Sequence, residues 1–122
     1  MSYCKNLSWK KNILNQSSKI KDAIRILNHN KHKIAIVIDE KKRLIGTITN
    51  GDIRRNLIKG YTKNDDLIYI INKKPIYVKR NFSKNKITNL FIKNKIACIP
   101  LTKKNKEILG MYVYLNPKND LK

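Results

Sequence analysis

The apolar positions change period several times along the chain, and each change marks an element. Ile20, Ala23, Ile24 and Leu27 fall at the i, i+3, i+4, i+7 spacing of one helix face, with Ser18 placed to cap its start. After the polar break Asn28–Lys31, the continuous β-branched run Ile34–Ile38 predicts a strand covered on both faces. Asp39–Arg43 is a polar turn, and Leu44–Thr49 is a second strand that pairs with the first as a hairpin. Asn50–Lys59 then predicts a helix capped by Asn50 and ended by Gly60. A short linker helix is expected at Leu67–Ile71, broken by Pro75, followed by a strand at Ile76–Val78. Ser83 opens another helix, with Ile87, Leu90 and Phe91 at helical spacing, and Ile96–Leu101 and Ile108–Tyr114 are strands around the turn Lys103–Glu107.

The two halves superimpose without a gap at an offset of 64 residues (78 − 14), with Leu14 falling on Val78. Ala23 falls on Ile87, Leu27 on Phe91, Val37 on Leu101, and Leu44-Ile45-Gly46 on Ile108-Leu109-Gly110. An internal repeat outranks local propensity in assigning a fold. The expectation is an α+β architecture of two β-α-β-β-α units, neither able to bury its apolar face alone, so that they pack on each other. The boundaries read as a lead segment 1–11, repeat one 12–60, a linker 61–75 and repeat two 76–122. Trp9 and the lead segment are expected to be loosely attached or to sit at a dimer face.

The stretch Gly46-Thr47-Ile48-Thr49-Asn50-Gly51-Asp52-Ile53-Arg54-Arg55 carries the candidate chemistry. A strand end feeds a helix N-terminus there, where unpaired N–H groups and the helix dipole favour an anion. Thr49 adds a hydroxyl for a phosphate oxygen, Asp52 can accept from two vicinal ribose hydroxyls, and Arg55 reaches a phosphate one turn on. Gly46 and Gly51 permit close backbone approach. The same residues also fit a plain helix start, with Asn50 or Thr49 as cap, Asp52 against the dipole, and Arg54 and Arg55 in solvent. The residues alone leave both readings open.

An apolar strand ending in Asp39, followed by G-x-x-T-x-x-D-x-x-R over Gly46, Thr49, Asp52 and Arg55, resembles the CBS-domain signature. In the second half, Ile96-Ala97-Cys98-Ile99-Pro100-Leu101 and Ile108-Leu109-Gly110 resemble the family's later strands, and the likeness spans about residues 12–115. The resemblance implies a pseudo-twofold Bateman module whose repeats pack through their sheets and hold AMP, ADP or ATP in clefts between them. It assigns phosphate and ribose to Thr49 and Asp52, with Arg55, Gly46, Thr47 and Gly51 around them. By position it puts the adenine near Leu14, Ser17, Ala35, Ile36 and Tyr77, and it implies a face-to-face homodimer.

The second repeat departs from the pattern. Thr49 becomes Val113, Asp52 becomes Asn116 and Arg55 becomes Asn119, and Pro117 changes how a terminal helix would start. One competent site is expected, not two. Residues 47–60 with Asn72–Ile76 also resemble the CBS pair ahead of sugar-phosphate nucleotidyltransferases, which implies a sensor for a fused or partner catalytic domain, not an enzyme in itself. The G-G-x-G-T-R-L-type loop of those enzymes is absent from these residues.

Composition adjusts this picture only slightly. The net charge of +20 raises a lysine-rich nucleic-acid binder as an alternative. Against it, only 5 of the 28 basic residues are Arg, and each half (1–61 and 62–122) carries 14 basic and 4 acidic residues, an even coat. A ligand-free dimerisation scaffold is a third reading. No apolar run approaches the roughly 20 residues of a membrane span, and Met1–Lys11 lacks a signal-peptide core, so a soluble cytoplasmic protein is expected. Cys4 and Cys98 read as free thiols, and His29 and His32 lack further ligands, so no metal is expected.

Overall fold

The computed structural model describes residues 3–5 and 9–115. The chain runs β1 (Tyr3–Lys5), β2 (Ile13–Asn15), α1 (Ile20–His29), β3 (Ile34–Ile38), β4 (Leu44–Thr49), α2 (Asn50–Ile58), β5 (Val78–Lys79), α3 (Ile87–Asn94), β6 (Cys98–Thr102) and β7 (Ile108–Tyr114). Short 3-10 turns lie at Trp9–Asn12, Leu67–Tyr69 and Lys84–Lys86. One sheet has the order β2-β3-β4, the other β1-β7-β6-β5.

The sequence duplication is a duplication of hydrogen-bond register. Ile34 faces Thr49 and Cys98 faces Val113; Leu14 faces Val37 and Val78 faces Leu101. Even the irregularity recurs, between Val37 and Ile38 and between Leu101 and Thr102. A slip of one residue would turn every buried side chain to the wrong face, so a shared burial pattern enforces a shared register.

The two hairpin turns meet on the axis that relates the repeats. Leu44 N donates to Lys106 O and Ile108 N to Lys42 O, around a bridge between Arg43 and Glu107. Each residue bonds the carbonyl two residues before its own counterpart, the reciprocal pattern of a twofold contact. Lys42 and Lys106 both take positive φ, at 64° and 75°. The turns are stiffened differently. In the first, Asp39 Oδ1 accepts from the Arg43 and Lys41 amides, and those bonds, led by Arg43's, hold its carboxyl below the usual range. In the second, Lys103 pairs with Glu107.

Apolar side chains form three clusters. Ile20, Ala23 and Leu27 of α1 pack with Leu14, Val37, Ile48 and Leu67. Ile87 and Phe91 of α3 pack with Val78, Ile99, Leu101 and Tyr112. Between the sheets lie Ile34, Ile36, Leu44, Cys98, Ile108, Met111 and Val113. Strands β3 and β6 are thus covered on both sides, which is why they read as unbroken apolar runs.

Several local expectations change. α1 is preceded by Lys19 as its N-cap, not Ser18. Its first N–H groups are taken by the linker, Ile20 N by Asp65 O and Lys21 N by Lys63 O, so no hydroxyl is needed there. α2 is capped by Thr49, not Asn50. The described residues of the lead segment are packed on the fold, not loosely attached. β1 pairs with β7, Tyr3 meets Tyr112 edge-on at 5.4 Å, and Trp9 is half-buried against the inter-sheet cluster. The buried Asn12 amide donates to His32 O at 2.9 Å and Ile34 O at 2.7 Å.

Cys4 and Cys98 oppose Val113 from either side. Their Cα atoms are two strand spacings apart, about 9.5 Å, beyond the roughly 7 Å that a disulfide bridges. Among the described residues no helix is long and apolar enough to cross a membrane. The exchanges at Asn116 and Asn119, and any helix they begin, lie outside the described residues.

Candidate functional site

The end of β4, the start of α2 and the starts of β3 and β6 converge on one cleft. It is lined by Lys33, Ile34, Thr47, Thr49 and Asp52 from the first half, Asn72 and Ile76 from the linker, and Lys95, Ile96, Ala97 and Cys98 from the second. Its volume is about 460 Å³, within the range of small-molecule sites. The two walls belong to different repeats because β3 and β6 lie side by side across the inter-sheet core.

The polar end is built around one carboxylate. Asp52 Oδ2 accepts from Thr49 N and from Thr49 Oγ1, both at 3.0 Å, while Oδ1 pairs with Arg55 Nη2. This satisfies the first turn of α2 and fixes the Thr49 hydroxyl at the rim. The Arg55 guanidinium is largely exposed, so its pairing with Asp52 is a weak commitment. Lys33 Nζ donates to Leu27 O, at 2.8 Å, in the last turn of α1. The Lys95 N–H caps α3 on Ile92 O, while its ammonium has no hydrogen-bond or ion-pair partner among the described residues. The opposite end is apolar, with Ile34, Ile76, Ile96 and Ala97 around Cys98, whose thiol burial pushes up to about 12. That thiol stays protonated at neutral pH and contributes as an apolar group.

The linker is held against this cleft at one point. Thr47 N donates to Asn72 O and Asn72 N to Thr47 O, and a Cβ on Gly46 would stand 2.7 Å from Asn72 O. Gly46 therefore admits the linker backbone, while Gly51 sits under Arg55.

Residues 9–59 match the family model of the CBS domain. The CBS domains of a transcriptional regulator from Streptococcus pneumoniae superpose with a TM-score of 0.74 at 15% identity, over 90% of this chain and 87% of that one. The fold is a tandem CBS pair. A CBS domain protein from Pyrobaculum aerophilum, complexed with AMP, superposes at 0.69 with 20% identity over 81% of this chain and 76% of that one. The cytosolic domain of the Mg2+ channel MgtE, in complex with ATP, does so at 0.69 with 17% identity, over 90% of this chain and 44% of that one. No curated protein sequence matches the chain.

Of the residues singled out in the sequence, this fold brings Thr47, Thr49 and Asp52 to the cleft. Arg55 stands behind Asp52, and Gly46 and Gly51 serve backbone approach. Leu14 and Ala35 are buried in the core of the first repeat, and Ile36 lies between the sheets. The Ser17 hydroxyl bonds Asn15, and Tyr77 packs at the inter-sheet cluster under Lys106 Nζ. None of these five lines the cleft. Lys33, Ile34, Asn72, Ile76 and Lys95–Cys98 line it without having been singled out. Except for Asn72, which the Thr47 bonds hold there, they lie at the first residues of strands or just before them, which repeat alignment gives only to within a residue or two.

Across the pseudo-axis, the counterpart of Thr49 is Val113, buried in the inter-sheet cluster. A valine offers no hydroxyl to a phosphate.

Proposed function

We propose that this chain is a regulatory module that binds an adenosine nucleotide in the cleft between its repeats and does not turn it over. The observation that carries this reading is the cleft itself, with Thr49 and Asp52 at its polar end and apolar side chains from the other repeat opposite. Similar folds in complex with AMP and with ATP support it. The phosphate sits at the α2 N-terminus, where the helix dipole favours negative charge, and takes the Thr49 Oγ1 proton that Asp52 Oδ2 otherwise accepts. The ribose hydroxyls replace Arg55 at Asp52 Oδ1. The adenine lies against Ile34, Ile76, Ile96 and Ala97.

Because the ligand touches both repeats, its affinity differs between relative orientations of the two. That difference is what a fused or partner domain reads. A sugar-phosphate nucleotidyltransferase as that domain, a cytoplasmic setting, and repeat boundaries at 12–60 and 76–122 belong to the same proposal.

Calorimetry with AMP, ADP and ATP tests the site. One nucleotide per chain is expected, with Thr49→Val weakening the preferred ligand about tenfold, the scale of one charge-assisted hydrogen bond. Thr49→Ser keeps the hydroxyl and should keep the affinity. No heat at millimolar ligand, or equal binding by Thr49→Val, overturns the assignment.

We also propose that the module self-associates through repeat one. Ile24, Ile53, Leu57 and Ile58 line a shallow groove between α1 and α2, and Ile58 is 80% exposed. Sedimentation should show a dimer for the wild type and a monomer for Ile58→Glu; a wild-type monomer at 100-micromolar scale discards this face.

A further inference from the structure

We propose that Lys95 is a specificity-determining residue of the cleft and selects a nucleoside di- or triphosphate over a monophosphate. The inference rests on the nucleotide reading above and adds to it which ligand is held.

Thr49 and the α2 N-terminus offer one anion position, on the wall built by repeat one. The facing wall contributes one cation, Lys95, directly after the last turn of α3. The other lysine at the cleft, Lys33, donates to the Leu27 carbonyl, and Arg55 lies behind Asp52 and outside the lining. Asp52 is the cleft's one carboxylate among the described lining residues, and Arg55 offsets its charge. Lys95 is therefore the lining ammonium whose N–H groups have no partner among the described residues, and it stands on the wall across from the first phosphate position. A monophosphate placed on Thr49 spends its charge on repeat one alone. A second or third phosphate extends the anion away from Thr49 and gives Lys95 a partner. Only the longer chain is held by polar groups of both repeats, which adds a charged contact to the apolar ones that every adenosine nucleotide makes across the cleft.

The backbone at Lys95 supplies a clean test. The residue ends α3 in the left-handed conformation, at φ 53° and ψ 43°. Lys42 and Lys106 adopt positive φ at the hairpin turns too, so the angle alone does not mark function. It does mean that glycine suits the position better than lysine. Lys95→Gly should therefore raise or preserve the melting temperature of the free protein while removing the ammonium.

Calorimetry of the wild type, Lys95→Gly and Lys95→Arg with AMP, ADP and ATP reads the outcome. The expected result is that Lys95→Gly weakens ATP and ADP about five- to tenfold and AMP less than about twofold, with Lys95→Arg close to the wild type. The wild-type preference for ATP over AMP should shrink as salt rises, and it should be absent in Lys95→Gly. Equal losses for AMP and ATP, or none for either, overturn the role of Lys95 and leave the site standing. A wild type that binds none of the three nucleotides overturns the site and this inference together.

Discussion

Phe91→Ala is expected to destabilise the protein by about 3–5 kcal/mol, the cost of emptying a large buried aromatic position. Phe91 is 1% exposed and packs with Val78, Ile87, Ile99, Leu101 and Tyr112. Its ring stacks on Tyr114 at 5.3 Å and lies 6.4 Å from Tyr3, so it also holds β1 and the end of β7. No neighbour can fill the space, because the ring sits between a helix and a doubly bordered sheet. Against typical stabilities of about 5–15 kcal/mol, the loss is large, and the midpoint should fall by more than about 10 °C. The counterpart in repeat one is Leu27, equally buried. Phe91→Leu therefore installs the other repeat's solution and should cost only about 1–1.5 kcal/mol. Thermal melts of the two variants decide this; similar losses for Ala and Leu would mean that ring stacking, not volume, holds the second repeat.

Gly46→Ala should cost about 2–3 kcal/mol, the upper part of the overpacking range, and should weaken any ligand of the cleft as well. The new methyl would lie 2.7 Å from Asn72 O and 2.8 Å from Ile71 Cδ1. The carbonyl cannot yield without breaking the reciprocal Thr47–Asn72 hydrogen bonds, which set the linker as the third wall of the cleft. Gly110 occupies the same place in repeat two, yet its nearest neighbours, Leu101 and Trp9, stand at 4.0 Å. Gly110→Ala should thus stay within about 0.5 kcal/mol of the wild type. Melting curves and nucleotide titration of the pair test the contrast. Equal tolerance at both glycines would show that the linker is free to lift.

The helices and central strands were legible because their burial is periodic. Ile20, Ala23, Ile24 and Leu27 can share a face only in a helix, and Ile34–Ile38 can be buried throughout only in a covered strand. The 64-residue offset was equally legible, since both repeats must satisfy the same register. Helix caps were not. Ser18 has the right chemistry, but the N–H groups it would have served are taken by Asp65 and Lys63 carbonyls, forty residues away in sequence. The lead segment was misjudged for the same reason. A three-residue strand and a single tryptophan carry no period; the open edge of β7 takes Tyr3–Lys5, and the inter-sheet cluster takes Trp9.

The candidate site divides along the same line. Thr49, Asp52 and Arg55 are near neighbours in sequence, so their meeting at one helix start follows from local geometry and could be read directly. The facing wall, Lys95 to Cys98, is brought there by packing of the two sheets, and no local pattern announces it. The family resemblance put the adenine near Leu14, Ser17, Ala35, Ile36 and Tyr77; Leu14 on β2 and Ala35 and Ile36 on β3 are buried in the core instead.

The amino-acid sequence by itself determined a duplicated α+β chain, the start of α2 as its chemical end, and the loss of the Thr49 hydroxyl at Val113. Those properties depend on residue type and short spacing. Tertiary structure alone decided which residues face that end across the cleft, that Gly46 admits the linker while Gly110 has room to spare, and that Lys95 stands on the facing wall. These follow from how two sheets and a connecting segment meet, and contacts between distant segments leave no period in the chain.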